Sequence, residues 1–201
     1  MQLQLKTWQF VEDYLKTKTG IIVPIGSTEQ HGPTGLIGTD ALTAEMIARG
    51  AGEKAGALVA PTIAVGMAQH HLAFPGSVTL RPTTLIAVVR DTVVSLARHG
   101  FTRFYFVNGH GGNVATVTAA FSEIYAERSM EKLSNQPSIK CALRNWWESG
   151  GVKSLSRDAY STHANLGLQD RRAHVRQRDG GERCQKGPAI HRVQCLLRAV
   201  A

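Results

Sequence analysis

Apolar residues along this chain change period several times, and each change marks an element. Phe10, Val11, Tyr14 and Leu15 recur on one helical face behind Thr7, a residue able to cap the first turn, and Thr19-Gly20 ends the pattern. Ile21 to Ile25 is then a short apolar run of the kind that forms a strand covered on both faces. After a polar, glycine-punctuated stretch, a second helix is predicted from about Ala41 to Lys54, stopping near Gly56. Ala57-Leu58-Val59-Ala60, closed by Pro61, reads as a second buried strand. Leu85, Ile86, Val89, Val93, Leu96 and Ala97 mark an amphipathic helix, with His99 in its last turn and Gly100 as the stop. Phe104 to Val107 is a third strand, and Val114, Val117, Phe121 and Ile124 begin another helix at once. A fourth strand is predicted at Ile139 to Leu143, with Asn145-Trp146-Trp147 at its end, and the Ser/Gly-rich stretch from Glu148 to Ser161 reads as a loop.

Strands that alternate with helices, and are continuously apolar rather than apolar at every second position, predict a parallel sheet with helices on both faces. The expected fold class is therefore α/β, a three-layer α/β/α arrangement around a mostly parallel central sheet. In such sheets ligands bind beyond the carboxyl ends of the strands. Two polar clusters follow strands here: one holds Glu29, His31 and Asp40, the other Asn108-Gly109-His110-Gly111-Gly112-Asn113.

Composition bounds the alternatives. With 201 residues, 43% of them hydrophobic and 19% charged, the chain can bury one sizeable core and is not a disordered polymer. No apolar run approaches the length of a membrane span, and Met1 to Lys6 lacks the pattern of a leader peptide, so a cytoplasmic protein that makes no membrane contact is expected. Cys141, Cys184 and Cys195 have neither disulfide nor thiolate-metal spacing. The net charge of +8 is concentrated late: residues 163–201 hold eight Lys/Arg against three Asp/Glu, leaving fifteen against twelve before them. A basic patch confined to the tail makes nucleic acid an unfavoured partner; binding through that tail would be steeply salt-dependent.

The candidate chemistry is that of a divalent cation. Glu29 and His31 are two apart and point the same way in an extended segment, while Asp40 can return from the far side of the loop. The competing assignment for Asp40 is a cap on the helix that begins at Ala41. His110 sits between glycines directly after a strand, and the Gly111 and Gly112 amides at the following helix start can bind an anion or oxyanion with or without a metal. In Gln69-His70-His71 the adjacent histidines face opposite ways if extended, so at most one faces the site, and His70 reads as a surface histidine. Trp146 and Trp147 are candidates for a substrate wall, although core or interface anchoring is commoner. On local grounds His163 is an isolated histidine in a polar loop.

Four motifs in one succession resemble the creatininase (creatinine amidohydrolase) family: Gly26-Ser27-Thr28-Glu29-Gln30-His31-Gly32-Pro33, Gly38-Thr39-Asp40, His71-Leu72-Ala73-Phe74-Pro75-Gly76-Ser77-Val78, and Asn108 to Asn113. The resemblance runs over residues 6–164. It implies a metal-dependent amidohydrolase that opens a C–N amide bond of a small cyclic or linear amide with activated water, built as a homo-oligomer, often a hexamer. Carried over position by position, Glu29, Asp40 and His110 would hold one ion, and His31 with a bridging Asp40 a second. Zinc is the first expectation, with manganese or iron in its place in relatives, and one or two ions per chain. His163, in Thr162-His163-Ala164, matches a late histidine assigned as acid/base, and His71, Gly111, Gly112, Trp146 and Trp147 would border the substrate.

Two positions depart from the family pattern. Some members carry a glutamate where this chain has Gly112, and others supply that ligand five residues after the late histidine, where this chain has Leu168. The second ion would lose a carboxylate. The rival reading is accordingly a catalytically impaired relative acting as a binding or assembly subunit. The departure coincides with the turn to basic composition, so residues 165–201 read as an atypical tail, divergent or out of frame relative to the family's own end.

Overall fold

A computed structural model describes residues 1–130 and 138–159. Nine principal elements follow in order: α1 (Trp8–Leu15), β1 (Gly20–Ile25), α2 (Thr39–Ala55), β2 (Leu58–Val59), α3 (Pro82–Arg98), β3 (Arg103–Asn108), α4 (Asn113–Met130), β4 (Lys140–Asn145) and α5 (Gly150–Ala159). The four strands form one sheet in the order β2-β1-β3-β4, every pairing parallel.

The two faces of the sheet divide the apolar residues by parity. Ile21, Val23, Ile25, Phe104 and Phe106 point to the face covered by Leu85, Val89 and Val93 of α3 and by Val117, Ala120 and Ile124 of α4, with Tyr14 of α1 at the margin. Ile22 and Val107 point the other way, onto Ala48 of α2. Because β1 is covered on both sides, its apolar run has no polar alternation, and the expected three layers are present.

Pro24 lies in an interior strand, where a missing N–H normally breaks a ladder. Its backbone faces the β2 side, but β2 ends at Val59, and the Pro24 carbonyl instead accepts from Ile63 N at 3.0 Å. The missing donor thus falls where the neighbouring strand has already ended.

Capping follows the sequence at several ends. Thr7 Oγ1 accepts from Phe10 N at 3.3 Å, Pro82 opens α3, and Gly56 and Gly100 take positive φ after α2 and α3. One expectation is corrected: residues 150–159, read as loop, are helical. Ser149 Oγ accepts from Val152 N at 3.3 Å, a cap that the Ser/Gly composition obscured. His163, Leu168 and the whole 165–201 tail lie outside the described residues.

Candidate metal centre

The carboxyl ends of β1, β3 and β4 are knitted together by two buried asparagines. Asn108, the last residue of β3, donates from Nδ2 to the His110 carbonyl at 2.6 Å and to Asn145 Oδ1 at 2.8 Å, and its Oδ1 accepts from His110 N at 3.1 Å. Asn113, first in α4, donates to the Gly26 carbonyl at 2.9 Å and accepts from Met67 N at 3.0 Å. Both stood in the quoted motif, but sequence reasoning passed over them as site builders. The signal available was a pair of asparagines flanking the glycines, a position where an amide can serve a donor and an acceptor at once.

Asp40 is not a helix cap. The helix begins one residue earlier, at Thr39, its cap position is Gly38, and no side chain caps it. The Asp40 carboxylate turns to the strand ends instead. Gly109 allows this: a Cβ there would stand 2.0 Å from the Asp40 carbonyl oxygen, so only glycine lets the end of β3 pass this close to the α2 backbone.

Around Asp40 the donor sites converge. His31 Nε2 lies 3.0 Å from Asp40 Oδ1, and its other nitrogen, Nδ1, lies 3.0 Å from the Glu29 carbonyl, which can only accept. Neutral His31 therefore carries its proton on Nδ1 and turns a lone pair to the carboxylate. His110 repeats the logic in mirror form. Its Nε2 donates to the Met67 carbonyl at 2.8 Å, so in the neutral ring Nδ1 is a lone pair, 2.9 Å from Asp40 Oδ2 and 3.3 Å from Glu29 Oε1. Asp40 Oδ2 is buried, and among the described residues it has no donor other than a protonated His110. Buried lone pairs facing one another are unfavourable unless a proton or a metal ion joins them.

The electrostatics agree. Burial pushes Asp40 up, but bonding to His110 and His31 outweighs it and holds the carboxyl below its usual value. Burial alone would lower His31 and His110, yet the Asp40 carboxylate, with Glu29 adding its charge, raises both imidazoles. Glu29 moves upward, chiefly through burial and in part through Asp40, against the pull of His110. Protonation of either imidazole balances the carboxylates, which is why both are held above their usual value. A divalent ion satisfies the same need, and Glu29, His31 and Asp40 offer ligand atoms within 4.8 Å of one another.

The other expected residues are distributed around this centre. His71 is buried at Glu29, with Nε2 3.3 Å from Oε1, and Ser27 Oγ, also buried, donates to Oε2 at 3.0 Å. His70 is exposed, as expected, but both histidines lie beside Glu29, because residues 69–71 form a 3₁₀ turn rather than an extended segment and bring the rings to 4.0 Å. Gly111 opens onto free space and Gly112 lies against His110. Trp146 is half-buried against the α2 face and meets Trp147 edge-on at 5.9 Å.

A parallel α/β protein with a carboxylate–imidazole centre at the strand ends is the class these features define. The family model for creatinine amidohydrolase matches residues 4–167, and the chain belongs to the creatininase family. The mycofactocin precursor peptide peptidase of Mycolicibacterium smegmatis is 39% identical over 106 residues, covering 50% of this chain and 42% of that protein. The creatinine amidohydrolase of Pseudomonas putida is 34% identical over 98 residues, 46% of this chain and 38% of the other. Among solved structures, a creatininase described with manganese superposes with a TM-score of 0.69 at 25% identity, over 77% of this chain and 63% of that one. The matches to these two curated relatives thus take in less than half of each relative's length.

Proposed function

We propose that this chain is a metal-dependent amidohydrolase that hydrolyses a C–N amide bond in a small cyclic or linear amide. The observation that carries the reading is the buried Asp40 carboxylate between two imidazoles, with Oδ1 3.0 Å from His31 Nε2 and Oδ2 2.9 Å from His110 Nδ1. Glu29, Asp40 and His110 would hold one ion, and His31 with Asp40 a second. Bound there, divalent ions supply Lewis acidity toward an amide carbonyl and acidify a coordinated water.

The chain's own groups do the rest. Glu29, Asp40 and the two imidazoles hold their lone pairs in register because Met67 and the Glu29 backbone fix each tautomer. Gly111 is exposed, and its backbone amide would meet an anionic or polarised oxygen. Trp146 and Trp147 follow β4 and would border the substrate. His163 is assigned by family resemblance as the proton donor to the leaving nitrogen. Zinc and manganese both suit this mixed oxygen and nitrogen donor set. The assembly proposed is a homo-oligomer.

One observation favours the rival with a single ion. A Cβ on Gly112 would stand 2.4 Å from His110 Nε2, so in this conformation position 112 has no room for a ligand-bearing side chain. The test is elemental analysis with a panel of small amides, formamides and short peptides. Two ions per chain with turnover support the enzyme, and one ion without turnover supports a binding subunit. Full metal occupancy retained in both Glu29→Gln and His110→Ala would refute the centre itself.

A further inference from the structure

We propose that Gln30 and His71 form a hydrogen-bonded relay that fixes the orientation of the Glu29 carboxylate, acting as positioning residues. Gly32 N donates to Gln30 Oε1 at 2.9 Å, and a backbone N–H can meet only the oxygen end of that amide. The orientation of Gln30 is thereby fixed, and its Nε2 donates to His71 Nδ1 at 2.8 Å. With Nδ1 accepting, neutral His71 carries its proton on Nε2, the atom 3.3 Å from Glu29 Oε1. On the other oxygen, the Ser27 hydroxyl donates at 3.0 Å. Each oxygen of Glu29 thus faces one donor, and the carboxylate cannot swing away from His110 and Asp40 without breaking both contacts.

The tautomer separates this role from a tempting alternative. Glu29, His70 and His71 bring ligand atoms within 4.8 Å of one another, close enough for a second cation. A His71 that presents N–H to Glu29 has no lone pair to give there. It serves the ligand rather than the ion, as outer-shell groups around metal sites do. The effect on metal affinity rests on Glu29 being a ligand; the tautomer does not.

Long-range 15N NMR of the metal-free full chain, under mildly alkaline conditions, reads the tautomer directly. His71 is expected as Nε2–H, reverting toward a mixture in Gln30→Leu. Titration with Mn2+ should find His71→Leu weaker by about 10- to 100-fold, and His71→Gln, whose amide can donate in place of Nε2–H, largely restored. An Nδ1–H tautomer, or equal affinities for His71→Leu and His71→Gln, would overturn the relay. If Glu29→Gln leaves Mn2+ affinity unchanged, the ligand assignment fails while the tautomer result still decides the relay on its own.

Discussion

Replacing Gly112 by alanine is the smallest change that reaches the centre. The added Cβ would stand 2.4 Å from His110 Nε2 and 2.7 Å from the Met67 carbonyl, far inside contact distance of both partners in the 2.8 Å hydrogen bond that sets the His110 tautomer. The imidazole tip can give way, but the Met67 oxygen belongs to the backbone, so the bond is expected to break. A buried donor or acceptor left unpaired costs about 1–3 kcal/mol. Losing the orienting bond of a ligating histidine weakens a metal by about 10- to 100-fold, roughly 1.4–2.8 kcal/mol. Gly111→Ala is the matched control, because among the described residues nothing lies within 4 Å of a Cβ there. Calorimetric titration with Zn2+ or Mn2+, together with thermal unfolding of the metal-free chains, measures both terms. Gly112→Ala should lose affinity and stability while Gly111→Ala keeps both. Equal affinities in the two variants would refute the tautomer argument and, with it, the assignment of Nδ1 as the metal-facing atom.

Asn113→Ala removes an amide that serves both the Gly26 carbonyl and Met67 N, leaving two backbone groups without their partner, and should destabilise the metal-free fold by roughly 2–4 kcal/mol in urea unfolding; a loss under 0.5 kcal/mol, approximately the scatter of surface changes, would contradict the network. The pH dependence of the metal-free chain follows from the directions of its shifts. Asp40 is lowered, so its contribution is present above the ordinary 3.8 and lost as pH falls through its depressed value. His31 and His110 are raised, so theirs is present below 6.5 and lost as pH rises through their raised values; Glu29, raised from 4.5, also weakens the fold as pH climbs through its own. Stability without metal should therefore peak in mild acid. Metal binding needs the imidazoles unprotonated, so the rise in melting temperature on adding Zn2+ should grow from mildly acidic to mildly alkaline pH; a shift independent of pH would contradict the site.

The expected strands, and the helices from Ala41 and Leu85, needed no tertiary information, because their apolar residues repeat at the period of the element they form. Thr7, Gly56 and Gly100 marked ends for equally local reasons. Residues 150–159 resisted reading, since their helix rests on a serine cap and a Gly-Gly first turn, a composition that signals loop as readily as helix. His70 and His71 resisted for a related reason. Whether neighbours diverge or converge depends on the backbone between them, and a 3₁₀ turn reverses the extended-chain expectation.

By itself the sequence determined the parallel α/β class, the residue types of the centre and their place after β1 and β3, because these are properties of local period and of motifs in order. Only the tertiary structure decided which way each group points. Asp40 could be a cap or a ligand until packing of the β3 end against α2 turned its carboxylate to the strand ends. His31 and His110 could present either nitrogen until the carbonyls of Glu29 and Met67, one near in sequence and one 43 residues away, fixed where each proton sits. A hydrogen bond across such a gap leaves no trace in local pattern. It exists only once the sheet has brought its two ends together.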